Sequence, residues 1–323
     1  MAYSLEIRNK AKRILEKRHD SAVMHSDIRS SEIRSQIPEI EEIQQGLSQI
    51  GLEISRLFFY GENTDEKVNE LRLRSKALVE KRSQVLEANG YSPDAMKPHF
   101  VCEACEDRGL INGRLCSCHR QLLKDIMRKE ISRLAPIDRC TFENFKLEYF
   151  SKQPSANGII PYQRAEKVLE ACRKYAQNFS ASSKNLLFFG GAGLGKTHLS
   201  LAILNVAINR GYYVCYGTSQ NICDDLQSEQ FGRVDDLTYT KNQVLGCDLL
   251  VLDDLGTEID NQYSIATLYN IINSRLLSGK PTVISTNYTM NKLEEKYDKR
   301  ITSRLTGEYT PFYFIGNDIR NQK

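Results

Sequence analysis

The segment 185–197 reads Asn-Leu-Leu-Phe-Phe-Gly-Gly-Ala-Gly-Leu-Gly-Lys-Thr, and its last eight residues could cradle a phosphate chain. Gly190, Gly193 and Gly195 allow the backbone to turn tightly and aim N–H groups at an anion, while a helix starting near Lys196 adds the positive end of its dipole. Lys196 is spaced to reach β- and γ-phosphates and Thr197 to ligate Mg²⁺. Glycine-rich turns are common in ordinary loops. Here an apolar run, Leu186 to Phe189, precedes the motif and a helical pattern (Leu199, Ile203, Val206, Ala207) follows it, which is the strand–loop–helix context a P-loop requires.

A second chemical group lies downstream. In Asp248-Leu-Leu-Val-Leu-Asp253-Asp254 a buried strand delivers carboxylates to the phosphate edge. Asp253 is expected to hold Mg²⁺, directly or through water, opposite Thr197; Asp254 or Glu258 then orients or deprotonates the attacking water. An isolated Asp-Asp pair is more often a solvated turn, and only the apolar strand behind a P-loop gives it this meaning. The run Thr282–Thr286 ends on Asn287, which could hydrogen-bond the γ-phosphate or the lytic water, or simply end the strand in a turn. Arg300 and Arg304 stand four apart, one above the other on a helix. Either could stabilise charge on a neighbouring subunit's γ-phosphate, or serve as a surface ion-pair partner.

Cysteine supplies the third group. Cys102-x2-Cys105-x10-Cys116-x-Cys118-His119 brings two close pairs together across a loop containing Gly109 and Gly113, the pattern of a tetrahedral Zn²⁺ site. Coordination by Cys102, Cys105, Cys116 and Cys118 is expected, with His119 as the substitute. A redox cluster is the competing reading; the loop glycines and the lack of a thioredoxin-like strand context argue against it. The other five cysteines (Cys140, Cys172, Cys215, Cys223, Cys247) are scattered, as small buried apolar residues are.

These groups need elements to position them. At 323 residues the chain exceeds the usual length of one domain. A formal charge of +3 excludes a histone-like tail but no local basic surface. No apolar run is long enough to cross a bilayer and the first residues lack the apolar centre of a signal peptide, so a cytoplasmic protein is expected, with no membrane partner. Residues 1–97 read as helical and charged. Ile40, Ile43, Leu47, Ile50, Ile54 and Leu57 draw one stripe, Gly61-Glu62-Asn63 breaks it, Asn63 with Glu66 resembles a capping box, and Val68, Leu71, Leu78 and Val85 draw a second stripe before Asn89-Gly90. The resulting helical hairpin either buries its stripes on each other or offers a docking surface. Residues 98–136 form the zinc module and a connecting helix, Gln121 to Leu134, that ends at Pro136. From 137 to 323 strands and helices alternate: strand Leu186–Phe189, helix to about Arg210, strand Tyr212–Tyr216, helix from Gln220, strand Leu249–Leu252, helix Tyr263–Leu277, strand Thr282–Thr286. That alternation implies an α/β fold with a parallel sheet and a nucleotide at its carboxyl edge.

With these motifs in order, residues 137–323 resemble an AAA+ ATPase of the initiator and helicase-loader branch, in particular the bacterial replicative helicase loaders of DnaC/DnaI type. Three stretches carry the likeness: Thr141-Phe-Glu-Asn-Phe145, Gly191-Ala192-Gly193-Leu194-Gly195-Lys196-Thr197-His198-Leu199, and Leu250-Val-Leu-Asp253-Asp254-Leu-Gly-Thr-Glu258. A zinc-bearing part ahead of the ATPase is also similar to DnaI-type loaders. The resemblance implies ATP/ADP bound along Gly190 to His198, Asp253 on Mg²⁺, Asn287 as a first sensor, Arg304 as an arginine finger reaching the next subunit, and Arg320 as a second sensor on a short tail in place of a full helical lid. It also implies self-association through the ATPase domain, hydrolysis of ATP, and delivery of the replicative DNA helicase to single-stranded DNA. The family usually has Glu after the metal-binding Asp, where this chain has Asp254. A transposition helper ATPase resembles the same domain but generally lacks the helical and zinc-bearing part; a nucleotide-gated adaptor with little turnover is the other alternative. From the residues themselves the DNA contact is Phe231, Arg233, Tyr239 and Lys241, which could stack on bases and follow phosphates, or form an ordinary loop.

Overall fold

The computed structural model describes residues 3–60, 65–155, 157–232 and 240–322. The expected break at 61–63, with its cap, and the DNA-contact candidates Arg233 and Tyr239 lie outside those residues. The chain divides into two compact units, Lys12–His119 and Met1–Ala11 with Arg120–Lys323. This differs from the three expected segments at 1–97, 98–136 and 137–323.

In the first unit lie most of α1 (Leu5–Gln36), then α2 (Pro38–Tyr60) and α3 (Asp65–Ala88). The stripes of α2 and α3 meet as an apolar layer of Ile50, Leu57, Val68 and Leu71, with Ile54 and Leu78 at its margin. A second cluster gathers Ile33 from α1, Ile37 from the joint after it, Ile40 from α2 and Leu86 from α3. Pro38 sits at the first position of α2, where a missing N–H costs nothing, and so turns one helix into the next. The unit closes with a hairpin of two short strands, β1 (Leu110–Ile111) and β2 (Arg114–Leu115), joined through Asn112 and Gly113 at φ 50° and 76°. Two positive φ angles are what a tight two-residue hairpin turn demands. Helix α4 (Ser117–Ser132) follows.

The second unit is a five-stranded sheet with helices around it. Its segments are α5 (Pro161–Gln177), β3 (Asn185–Phe189), α6 (Lys196–Asn209), β4 (Val214–Thr218), α7 (Ser219–Gln230), α8 (Lys241–Gly246), β5 (Leu249–Leu255), α9 (Gln262–Leu277), β6 (Thr282–Thr286), α10 (Met290–Lys296), α11 (Lys299–Glu308) and β7 (Tyr309–Tyr313). Strand order is β4-β5-β6-β3-β7 and every pairing is parallel. Apolar runs such as Leu249–Leu252 are wholly buried because helices cover both faces.

Two details depart from the sequence reading. The strand expected at Tyr212–Tyr216 begins and ends two residues later, and a fifth strand, β7, was not expected. β7 is short, mostly exposed beyond Tyr309 and contains Pro311, which suits an edge but carries little strand signal.

The outer edge of β4 is also covered. α4 lays Met127 and Ile131 there, and Lys124 and Arg128 donate to Asn209 at 2.7 and 2.8 Å. The chain's first turns join them: Tyr3 donates to Gly211 O at 3.1 Å, Gln243 to Glu6 at 3.0 Å and Lys10 to Glu130 at 2.8 Å.

Candidate functional site

Parallel pairing sets the site. β3 and β6 run in register, Phe189 beside Thr286, so Gly190 and Asn287 emerge together at the carboxyl edge. β5 flanks β6 on its other side and brings Asp253 level with Thr218 of β4. The Lys196 ammonium then bonds Gly190 O and Gly191 O at 2.7 Å each and Asn287 Oδ1 at 2.6 Å. Burial draws this ammonium below the usual lysine range, against the pull of Asp254 and Asp253.

Thr197 Oγ1 donates to Asp253 Oδ2 at 2.8 Å. Asp253 is 1% exposed and also accepts from Tyr216 OH at 2.9 Å and from Ser285 Oγ. A hydroxyl and a carboxylate meeting at the mouth of a P-loop are the hard oxygen donors Mg²⁺ takes, so the residues present fit that ion. Tyr216 and Ser285 escaped the sequence reading; Ser285 could have been found as the strand residue two before Asn287.

Asp254 owes its direction to a bulge. The β5–β6 register shifts between Leu252 and Leu255, and Asp254 adopts φ 53°. A residue inserted on one strand re-aims a side chain that regular alternation would turn away. Its backbone N–H is held by Ser285 Oγ at 3.0 Å, and Asn287 Nδ2 donates to its Oδ1 at 3.3 Å. Burial, then repulsion from Asp253, raises its carboxyl above the usual range. Asp254 thus stands with Asn287 and Lys196.

Glu258, the other candidate for activating water, is engaged elsewhere. It is 3% exposed; Ser219 Oγ and Gly256 N–H donate to Oε2 at 2.6 and 3.1 Å, Tyr297 OH donates to Oε1, and Lys296 lies 3.5 Å from Oε1. The geometry makes it a buried clamp joining the start of α7, the end of α10 and the β5–α9 loop. His198, expected along the nucleotide, faces the other way: Nε2 lies 2.7 Å from Thr141 O and its ring meets Phe145 edge-on. The entry segment Thr141–Phe145 is thereby fastened to the start of α6.

Arg304 is half-buried on α11, bonded to Asn273 Oδ1 at 2.9 Å and Tyr269 OH at 3.0 Å, with its guanidinium 4.7 Å from the Tyr269 ring. Arg300 lies over the same ring at 5.2 Å and pairs with Asp298. Arg320 belongs to the terminal turn, where its charge is felt at Lys196 and Asp254. Phe231 is 70% exposed, and Lys241 opens α8 with its N–H on Glu229 at 2.7 Å.

In the other unit the sulfurs of Cys102, Cys105, Cys116 and Cys118 all lie within 4.8 Å of one another. Cys102–Cys116 is 3.7 Å and Cys105–Cys118 is 3.4 Å. A zinc–sulfur bond of about 2.3 Å in a tetrahedron separates sulfurs by about 3.8 Å, so the cluster fits that ion. The knuckle is built by Asp107, whose carboxylate accepts from Val101 N–H at 2.8 Å and Cys102 N–H at 3.0 Å, and by Gly109 N–H, which donates to Cys105 Sγ at 3.3 Å. The hydrogen bond from Cys118 N–H at the start of α4 leads in drawing the Cys116 thiol down to about 6, while burial raises Cys118. His119 turns away, its Nδ1 3.2 Å from Gly109 O.

The second unit is similar in sequence to known proteins. Residues 163–306 match the family model described as IstB-like ATP binding protein. The replicative helicase loader DnaC of Escherichia coli strain K12 is 25% identical over 166 residues, 51% of this chain and 62% of that protein. The chromosomal replication initiator DnaA of Acinetobacter baumannii is 31% identical over 141 residues, 42% of this chain and 30% of that one. A crystal structure of the DnaC helicase loader is 21% identical, with a TM-score of 0.46 over 56% of this chain and 99% of the other. The chain thus spans under two thirds of the length of its DnaC relatives. Residues 163–306 thus resemble IstB-like ATP binding proteins, and the unit holding the sheet and its phosphate-binding loop is similar to DnaC helicase loaders.

Proposed function

We propose that the chain binds and hydrolyses ATP and uses the cycle to deliver a replicative DNA helicase to single-stranded DNA. The observation that carries this reading is the convergence of Lys196, Asn287 and Asp254 beside the Thr197–Asp253 pair at one sheet edge. Lys196 would take the β- and γ-phosphates. Thr197 and Asp253 would hold Mg²⁺, which neutralises phosphate charge when bound. Asn287 would fix the γ-phosphate, and Asp254 would accept the proton of the attacking water.

Arg304 is proposed to complete the site of the next subunit, giving an assembly formed through the ATPase unit, with Arg320 as a sensor in cis. The four-cysteine cluster is proposed to hold Zn²⁺ and stiffen the unit that meets the helicase. Phe231 and Lys241 are proposed, with Arg233 and Tyr239, to meet DNA. The family model's description favours a second reading, a transposition helper ATPase. The helical and cysteine-bearing unit ahead of the ATPase speaks for the loader.

ATP turnover is to be measured with and without single-stranded DNA, and with Arg304→Ala mixed into wild type. The loader reading expects DNA-sensitive turnover that falls more steeply than the fraction of variant added. No turnover in any mixture leaves a nucleotide-gated adaptor, and a strictly proportional loss removes the finger role of Arg304. Capture of the replicative helicase by the full chain, against capture of a transposase, separates loader from helper.

A further inference from the structure

Beyond β7 the chain doubles back over the phosphate-binding loop. Phe314 N–H donates to Phe189 O at 2.7 Å and Ile319 N–H to Gly193 O at 3.2 Å. Between these anchors the Asp318 carboxylate rests on Gly193. A Cβ added to Gly193 would lie 1.8 Å from Asp318 Oδ1 and 2.2 Å from Cγ, so the carboxylate sits directly against the loop backbone, and the φ of 71° there suits glycine. Asp318 Oδ1 also accepts from Arg320 N–H at 2.9 Å, and the Arg320 Nε lies 4.0 Å from it. A carboxylate therefore occupies the face of a loop whose amides and helix end suit an anion, and it holds Arg320, the cation of its own tail turn.

We propose that Asp318 is a competing residue of the nucleotide site: its carboxylate seats the tail on Gly193, and an arriving triphosphate displaces it and takes over Arg320. The proposal rests on the ATP-binding reading above. Two like charges cannot share the surface of one glycine at low screening, so the tail is released when phosphate enters. Arg320 supports the exchange, because its charge already acts on Lys196 and Asp254. The tail thus reports the state of the loop.

The test titrates the full-length protein with a fluorescent ATP analogue and Mg²⁺ at low and high salt, and follows amide hydrogen exchange in the peptide 314–322. Asp318→Asn keeps a hydrogen-bond acceptor for Arg320 N–H while removing the charge, so it leaves the turn in place. It is expected to bind on the order of tenfold more tightly at low salt, with the gap closing as salt rises. In wild type the triphosphate is expected to speed exchange in the tail. An affinity for Asp318→Asn equal to or below wild type, or tail exchange that is unchanged or slowed, overturns the proposal. Lys196→Ala separates the two readings: if it loses affinity while Asp318→Asn has no effect, only the tail competition is wrong. If Lys196→Ala binds like wild type, the ATP reading falls and takes the competition with it.

Discussion

Two carboxylates four positions apart, Asp254 and Glu258, present the same chemistry to a reader of the sequence, and the fold gives them different work. Asp254 is half-buried beside Asn287, whereas both oxygens of Glu258 are held by Ser219, Gly256, Tyr297 and Lys296. Asp254→Asn is therefore expected to keep nucleotide affinity within about twofold and to lower turnover by roughly 10²-fold or more, read by single-turnover hydrolysis. Glu258→Gln is expected to lower stability by about 1–3 kcal/mol, read by denaturant unfolding, with turnover per folded molecule nearly unchanged. The P-loop residues and Asp253 were legible in the sequence because their motif fixes spacing along the chain. Ser285, Tyr216 and Asp318 were not, since each meets the site only through sheet pairing or through the returning tail.

At the scale of elements, position in the sheet follows from a few local devices. The bulge after Leu252 aims Asp254, and apolar runs on β3, β5 and β6 bury both faces. Arg275 on α9 locks the opposite end of the sheet: 1% exposed, it donates to Thr282 Oγ1 at 2.9 Å, Val244 O at 2.8 Å, Cys247 O at 3.1 Å and Pro281 O at 2.7 Å. Arg275→Ala removes these four buried bonds at once and is expected to cost about 3–5 kcal/mol, read as a lower denaturation midpoint. Gly109 has a comparable role in the cysteine knuckle. At φ 75° it sits where an added Cβ would lie 2.6 Å from Leu15 Cδ1 and 2.8 Å from His119 Nδ1. Gly109→Ala is expected to destabilise the knuckle by about 1–3 kcal/mol and to weaken zinc retention, read by chelator competition. The α2 and α3 stripes were legible from their spacing. α1 was read only as part of a charged helical stretch, because its buried residues Ile7, Ala11 and Leu15 are widely diluted by charge; β7 was missed because Pro311 weakens its strand pattern.

Taken whole, the molecule has two separately built cores, so a change in one is expected to leave the other folded. Treatment with a strong chelator, or Cys102→Ser, is expected to loosen Lys12–His119 while ATP-analogue affinity stays within about twofold, read by proteolysis beside nucleotide titration. About one zinc per chain by metal analysis accompanies that expectation. The division of the chain was only partly legible, because Pro136 lies just past the end of α4 and so suggests a boundary there, whereas α4 is bonded through Lys124 and Arg128 to the end of α6 in the second unit. The covered flank of β4 has a practical consequence. A fragment begun at residue 137 would lose Ile7, Met127 and Ile131 together and bare the backbone of Val214–Thr218. Such a naked rim is a template for pairing with other chains, and the shortened protein should precipitate or form β-rich aggregates on standing where the full chain stays dispersed.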